Sequence, residues 1–228
     1  MRILAVDTSS ARGSVCAAEN GEVAGEIRLA SSVQHSERLF AAIEFLLNYL
    51  PFDLADVDLF VAARGPGSFT GLRVGLAAMN GFAAACQRPA AGVSTLEALA
   101  WKTGLENCTI ASVIDAGRGE IYGALYRRTE GLLVEMRRPQ ALRPAEWFAS
   151  LPEEPLYFCG DGAVRYREYI DRPAWSLYRM DLFLGGAIAE LALTPNSGPL
   201  EPLYVRRTDA EIAREKQHEG LASPNTKS

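Results

Sequence analysis

Two aspartates and one glycine-rich loop are the residues of this chain best placed to do chemistry. Asp7 and Asp115 each close a short apolar, β-prone run, residues 3–6 and 109–114. A carboxylate at such a strand end can hold a hydrated magnesium ion beside a phosphate, or it can simply accept hydrogen bonds from the N–H groups of the next loop. The loop is Arg64-Gly-Pro-Gly-Ser-Phe-Thr-Gly-Leu-Arg-Val-Gly75. Gly65, Gly67 and Gly71 permit positive φ, and Pro66 fixes a corner. Backbone N–H groups converging there at a helix start would suit an anion, and a sharp turn is the competing reading. The Walker lysine pattern is absent. Arg64 and Arg73 bracket the loop, where each could face a phosphate or an acidic partner. Ser9, Ser10 and Ser68 are candidate nucleophiles without a base, because the chain holds 2 histidines, His35 and His218, neither near them in sequence. A hydrolase triad is unsupported.

The elements that must position these residues follow from periodicity. Residues 3–7, 14–19 and 22–29 read as strands, and Asn20-Gly21 between the last two is a strong hairpin signal. Leu39, Phe40, Ile43, Leu46, Leu47 and Leu50 have helical spacing, with Ser36 as the expected cap and Pro51 as the stop. Residues 57–63 form a strand, and the glycine-rich loop leads into a helix over about 70–86. A strand over 90–93 and a helix beginning at Ser94 complete a βββαβαβα order. The pattern then restarts: strands at 109–115, 120–126 and 132–136, with Glu130-Gly131 as a turn, a helix over 145–151, a strand at 156–159, the loop Gly160-Asp161-Gly162, and an apolar helix over 182–193. This is the signature of an internal duplication. Residues 201–206 are expected to pack back as an extended segment, with Tyr204 and Arg206 tying it down. From 209 the composition turns polar, as in a frayed tail.

The second helix is unusual. From Val74 to Gln87 it carries no charge, and Ala77, Gly81 and Ala85 recur at four-residue spacing as a ridge of small residues. A helix apolar all round must be covered on more than one side, by a large core or by a partner. It is too short and too rich in alanine and glycine to span a bilayer. With 228 residues the chain can bury one large core or two small ones, and 48% hydrophobic content indicates a well-packed globular protein. A formal net charge of −5 argues against binding nucleic acid unaided, since phosphate neutralisation needs clustered Lys and Arg. Cys16, Cys86, Cys108 and Cys159 show no Cys-x-x-Cys spacing and read as free thiols in a reducing cytoplasm.

Two βββαβα halves, each with an Asp ending its first strand, are the plan of the α/β superfamily of actin, Hsp70 and sugar kinases, with the second half reduced. Within it, Asp7-Thr-Ser-Ser, the 64–75 loop, Gly92-Val-Ser-Thr-Leu-Glu97, Asp115-Ala-Gly-Arg-Gly-Glu-Ile-Tyr122 and Glu201-Pro-Leu-Tyr-Val-Arg206 together closely resemble the bacterial TsaB family, also called YeaZ. The resemblance spans about residues 1–207. It implies ribonuclease-H-like halves at 1–104 and 105–208, with 209–228 as a tail.

The resemblance also implies a role: a non-catalytic scaffold that pairs with a TsaD-like catalytic subunit and a TsaE-like ATPase. That complex transfers threonylcarbamoyl to N6 of adenosine 37 in tRNAs reading codons that begin with A. The tRNA is met only through the complex, and the chain pairs with itself when the partner is missing. Expected contacts are Leu72, Leu76, Ala77, Met79, Asn80, Gly81, Ala84 and Ala85 of the second helix, with Arg38, Leu39 and Ala42 of the first. Asp7, Thr8, Ser9, Gly65, Gly67, Ser68 and Asp115 would form a vestigial nucleotide site. No cofactor or metal is required, although ATP or ADP fits the context of the complex.

One comparison within the sequence bears on catalysis. Catalytic relatives carry Val-Asn-His-x-x-x-His where this chain has Val93-Ser94-Thr95-Leu96-Glu97-Ala98-Leu99, so Thr95 and Leu99 stand where two histidines would bind metal. Neither replaces an imidazole. With those ligands gone, the structural role of Asp7 and Asp115 is preferred. Arg118 and Glu120 stand between an ion pair and a place on the cleft border. Two other classes remain as alternatives, an ATP-dependent phosphotransferase of the superfamily and, least favoured, a glycoprotease-like peptidase.

Overall fold

The computed structural model describes residues 1–30 and 35–205. Its first half runs β1 (Arg2–Asp7), β2 (Arg12–Glu19), β3 (Glu22–Ala30), α1 (His35–Asn48), β4 (Leu59–Gly65), α2 (Phe69–Cys86), β5 (Ala90–Ser94) and α3 (Thr95–Lys102). The second half runs β6 (Thr109–Gly117), β7 (Glu120–Thr129), β8 (Leu132–Leu142), α4 (Pro144–Ala149), β9 (Leu156–Cys159), α5 (Asp161–Arg165), β10 (Trp175–Leu177) and α6 (Gly185–Leu191). The strand orders are β3-β2-β1-β4-β5 and β10-β9-β6-β7-β8. In each half the first three strands are antiparallel, the fourth joins the first in parallel, and the fifth joins the fourth in parallel. The same βββαβαβα order and strand sequence therefore occur twice, the plan of the actin and sugar-kinase superfamily. The second copy is pared down: α2 has 18 residues and its counterpart α5 has 5.

Side-chain alternation explains the layering of the first sheet. Val6 and Gly25 approach α2 and α1, whereas Ser14, Cys16 and Glu26 lie against Gly185 of α6. With helices on both faces, β1 and β4 are buried almost end to end and read as continuous apolar runs. Ser14 fixes the cross-packing by accepting the Gly185 N–H at 2.7 Å. The last helix of each half crosses to its neighbour: α6 packs on β1 and β2, and α3 packs on β6 and β7. Trp101 of α3 donates to Glu190 of α6 at 2.6 Å, so the two crossing helices are also tied to each other. One large hydrophobic cluster consequently includes residues of both sheets, and a smaller one around Trp147, Phe148, Phe158 and Trp175 sits behind the second.

Both predicted hairpin turns are present, with positive φ at Asn20 and Gly21 and at Glu130 and Gly131. Several boundaries move. Ser36 lies inside α1, not before it, since the helix starts at His35. The fourth strand begins at Leu59, because Val57 is buried from a short 3-10 turn that precedes the sheet. The loop 160–162 becomes the N-terminal part of α5, and the predicted 182–193 helix is confined to Gly185–Leu191. The extended return is present: Leu203 N–H donates to the Arg64 carbonyl at 2.7 Å, and Gly92 and Gly198 form a bridge. Arg206, His218 and the polar tail lie outside the described residues.

The four cysteines are unpaired. Burial pushes the Cys16 and Cys159 thiols up to about 12. Since the thiolate is the reactive form, brief treatment of the native protein with iodoacetamide is expected to label Cys86 and Cys108, with all four labelled in denaturant. Peptide mass spectrometry reads this directly, and early labelling of Cys16 would contradict the packing of α6 on β2.

Candidate functional site: an exposed helical face and a closed cleft

The glycine-rich motif is a clasp between two segments of this chain. A Cβ on Gly67 would stand 2.5 Å from the Ser9 carbonyl oxygen; one on Gly71 would overlap the Thr8 carbonyl, and one on Gly75 the Thr8 hydroxyl. Hydrogen bonds join the same segments. Ser68 N–H donates to the Ser9 carbonyl at 2.7 Å, and the Thr8 hydroxyl donates to the Gly71 carbonyl at 2.8 Å. Ser68 caps α2 by accepting the Gly71 N–H at 3.2 Å. The glycines thus admit the backbone of the 7–10 loop to the start of α2, where an anion would otherwise sit. Arg73 folds over the Phe69 ring at 3.9 Å, and Arg64 lies beside Gly92 and Gly198, so the two arginines do not converge on the loop.

Across the cleft the carboxylates are engaged. Asp7 accepts the Ser9 N–H at 2.8 Å. Asp115 accepts from Gly117 N–H at 3.1 Å and from the Arg165 guanidinium at 2.6 Å. Burial pushes the neighbouring Asp161 carboxyl up, even though the N–H groups of Asp115 and Gly162 donate to it. Thr95 and Leu99 lie one turn apart on α3 and line the same small cavity as Ser9, Pro66, Ile114 and Asp161. Its volume is about 30 Å³, room for a water molecule or two, whereas ligand pockets run to several hundred. Among the described residues no group of three or more His, Cys, Asp or Glu could hold a metal ion.

The outer surface of α2 is open. Leu72, Leu76 and Met79 are buried against the chain's own sheet, as are Leu39 and Ala42 of α1. These five are core residues in the single chain, which leaves the other residues of the expected contact set on the surface. Ala77, Asn80, Gly81, Ala84 and Ala85 of α2 and Arg38 of α1 are exposed. A position deep in a large core, one of the two readings of this uncharged helix, is thereby excluded. Asn80 also reaches the Leu200 carbonyl at 3.4 Å, tethering the returning segment. Sequence reasoning missed three exposed aromatics of α1: Phe40 is 51% exposed, Phe45 58% and Tyr49 77%. Phe40 meets Phe82 of α2 edge-on at 5.9 Å, and Phe45 lies 4.9 Å from Tyr49. Phe40, Phe45 and Tyr49 at spacings of five and four were the available signal, masked by the stronger leucine stripe.

The family model described as TsaD, tRNA N6-adenosine threonylcarbamoyltransferase, matches residues 27–218. The tRNA threonylcarbamoyladenosine biosynthesis protein TsaB of Bacillus subtilis is 32% identical over 173 residues, 75% of this chain and 76% of that protein. The chain belongs to the TsaB family. The Escherichia coli protein of the same name is 36% identical over 132 residues, 57% of each chain. In structure, YeaZ from Pseudomonas aeruginosa superposes with a TM-score of 0.77 at 25% identity, over 89% of this chain and 99% of that one. Among the described residues no helix is long and apolar enough to cross a membrane. The open face of α2 and the filled cleft are thus features of a TsaB-family chain.

Glu97 is the other charged group under strain. Burial pushes its carboxyl up from an ordinary value of 4.5, against the opposing pull of the Asn196 amide, Arg64 and the Ser94-capped helix start. A carboxyl that holds its proton more tightly when folded adds stability at low pH that is lost as pH rises past 4.5 through the folded value. Arg64, Glu135 and Arg138 border it. Glu97→Gln can still accept from Asn196 and never ionises. The variant is therefore expected to melt at or above the parent at neutral pH, with the difference shrinking toward pH 4.5. Paired melts across pH test this; a constant difference would exclude Glu97 as its source.

Proposed function

We propose that this chain is a non-catalytic subunit of the tRNA N6-adenosine threonylcarbamoyl-transferring assembly, which docks the α1/α2 face on a TsaD-like catalytic subunit and works with a TsaE-like ATPase. The observation that carries this reading is the outer surface of α2 beyond Arg73, uncharged from Val74 on, with Ala77, Gly81, Ala84 and Ala85 exposed and the exposed Phe40 of α1 packed edge-on against Phe82 of the same helix. Small residues let a facing helix approach closely, and Phe40 supplies apolar area at the rim. The named relatives support the pathway. The same surface would join two copies of this chain when the partner is absent.

A scaffold role also agrees with the state of the cleft. Thr95 and Leu99 replace metal-binding side chains, Arg165 neutralises Asp115, and the 7–10 loop occupies the anion position. We take residues 1–104 and 105–208 as the two halves and place the protein in the cytoplasm, meeting tRNA only through the complex. The chain alone requires no nucleotide, and ATP or ADP would enter only with the assembled partners.

Light scattering of the chain alone and mixed with a TsaD-like partner from the same source, followed by a modification assay on each sample, tests this. The expected result is a stable mixed complex that modifies adenosine 37 with TsaE-like ATPase and threonylcarbamoyl donor present, when neither chain does so separately. Turnover of ATP or peptide by this chain alone, without complex formation, would overturn it.

A further inference from the structure

Another pocket lies beside the returning segment. It has a volume of about 390 Å³ and is lined by Arg64, Ser94, Glu97, Glu135, Arg138 and Tyr204, among others. Ligand pockets for small molecules begin at about this size. Two of its lining residues each carry a buried side-chain atom without a hydrogen-bond partner, Nε of Arg64 and Oε2 of Glu97. The other Glu97 oxygen is fixed by the Asn196 amide at 3.4 Å, and that amide is itself anchored to the Leu133 carbonyl at 3.0 Å. Arg64 is held on its backbone side by the Leu203 N–H. A carboxylate and a guanidinium are thus positioned by their neighbours while each keeps an unused hydrogen-bonding atom.

The charge pattern selects the ligand class. Among the described residues the lining carries two carboxylates and two guanidiniums, which balance formally. A phosphate would gain from Arg64 and Arg138 but meet Glu97 and Glu135; a bare cation would face the reverse. A small molecule bearing both an ammonium and a carboxylate satisfies both pairs at once. We infer that this pocket binds a free α-amino acid, its carboxylate on Arg64 and Arg138 and its ammonium on Glu97 and Glu135. Ser94 and Tyr204 contribute hydroxyls, and Pro139 and Leu203 an apolar wall for the side chain. A buried carboxylate that works against stability at neutral pH, as Glu97 does, is typical of a group kept for binding.

Saturation-transfer NMR on the full chain, with each standard L-amino acid as probe in turn, tests the assignment. At least one free amino acid is expected to receive saturation. Its N-acetyl and carboxamide derivatives, each lacking one charge, should bind at least about tenfold more weakly, as should the free amino acid to Glu97→Gln. Arg138→Ala, at an exposed rim position, serves as a second variant that leaves the core intact and should weaken binding in the same direction. No saturation of any free amino acid would overturn the proposal. So would equal binding of the blocked derivatives, or unchanged binding to folded Glu97→Gln.

Discussion

Gly81→Leu is expected to give a folded monomer that no longer pairs, either with itself or with a TsaD-like subunit. A Cβ built at Gly81 meets nothing within 4 Å, so the new side chain has open space around it in the single chain. Within the fold, replacing an exposed helical glycine with leucine should raise stability by about 0.5–1 kcal/mol through helix propensity. Against a closely packed facing helix the same side chain creates overlap costing about 1–3 kcal/mol or more, roughly a tenfold to hundredfold loss of affinity. The two effects have opposite signs, which separates an interface defect from a folding defect. Light scattering reads the association and a thermal melt reads the fold. If the variant melts normally and still forms both complexes, the facing surface lies elsewhere.

The same helix shows how far the sequence could be read. Lack of charge from Val74 to Gln87 announced that α2 needed extra cover, and the structure leaves Ala77, Gly81, Ala84 and Ala85 for that purpose. Which residues faced inward was illegible, because a helix apolar all round has no polar side to mark solvent. Leu72, Leu76 and Met79 were therefore grouped with the outer residues although they fill the core. The duplication was legible because its turns have specific chemistry, Asn20-Gly21 and Glu130-Gly131, and because both halves begin with a strand ending in Asp. Short elements such as α5 and β10 carry too few residues for a period to emerge and are fixed by tertiary contacts. The Arg64–Glu97 pocket was hidden for a different reason. It joins β4, α3, β8 and the returning segment, residues separated by up to about 140 positions, and no local pattern marks such a convergence.

The sequence leaves the glycines of the 64–75 loop between positive-φ turn residues and an anion cradle. Of Gly65, Gly67 and Gly71 only Gly65 has positive φ; the other two admit a close backbone approach, and Gly71→Ala distinguishes cradle from clasp. The Thr8 carbonyl stands where the new methyl would be, and Ser68 closes the other side. Relief requires moving backbone: either the 7–10 loop withdraws, losing the Ser68-to-Ser9 and Thr8-to-Gly71 hydrogen bonds, or the first turn of α2 shifts off β1. Overpacking of a well-filled interior typically costs 1–3 kcal/mol, and a clash against main chain belongs at the upper end, so a loss of about 3 kcal/mol or more is expected. Urea denaturation should show a lower midpoint with little change in slope. An anion cradle predicts the reverse, since alanine there would impair ligand binding while leaving the unliganded fold nearly as stable. Unaltered stability in Gly71→Ala would therefore return the loop to the phosphate-binding reading. The expected loss, with no effect of ATP and magnesium on the melting of the parent chain, would leave the motif as the clasp that fixes α2 to the edge of the cleft and so presents its outer face.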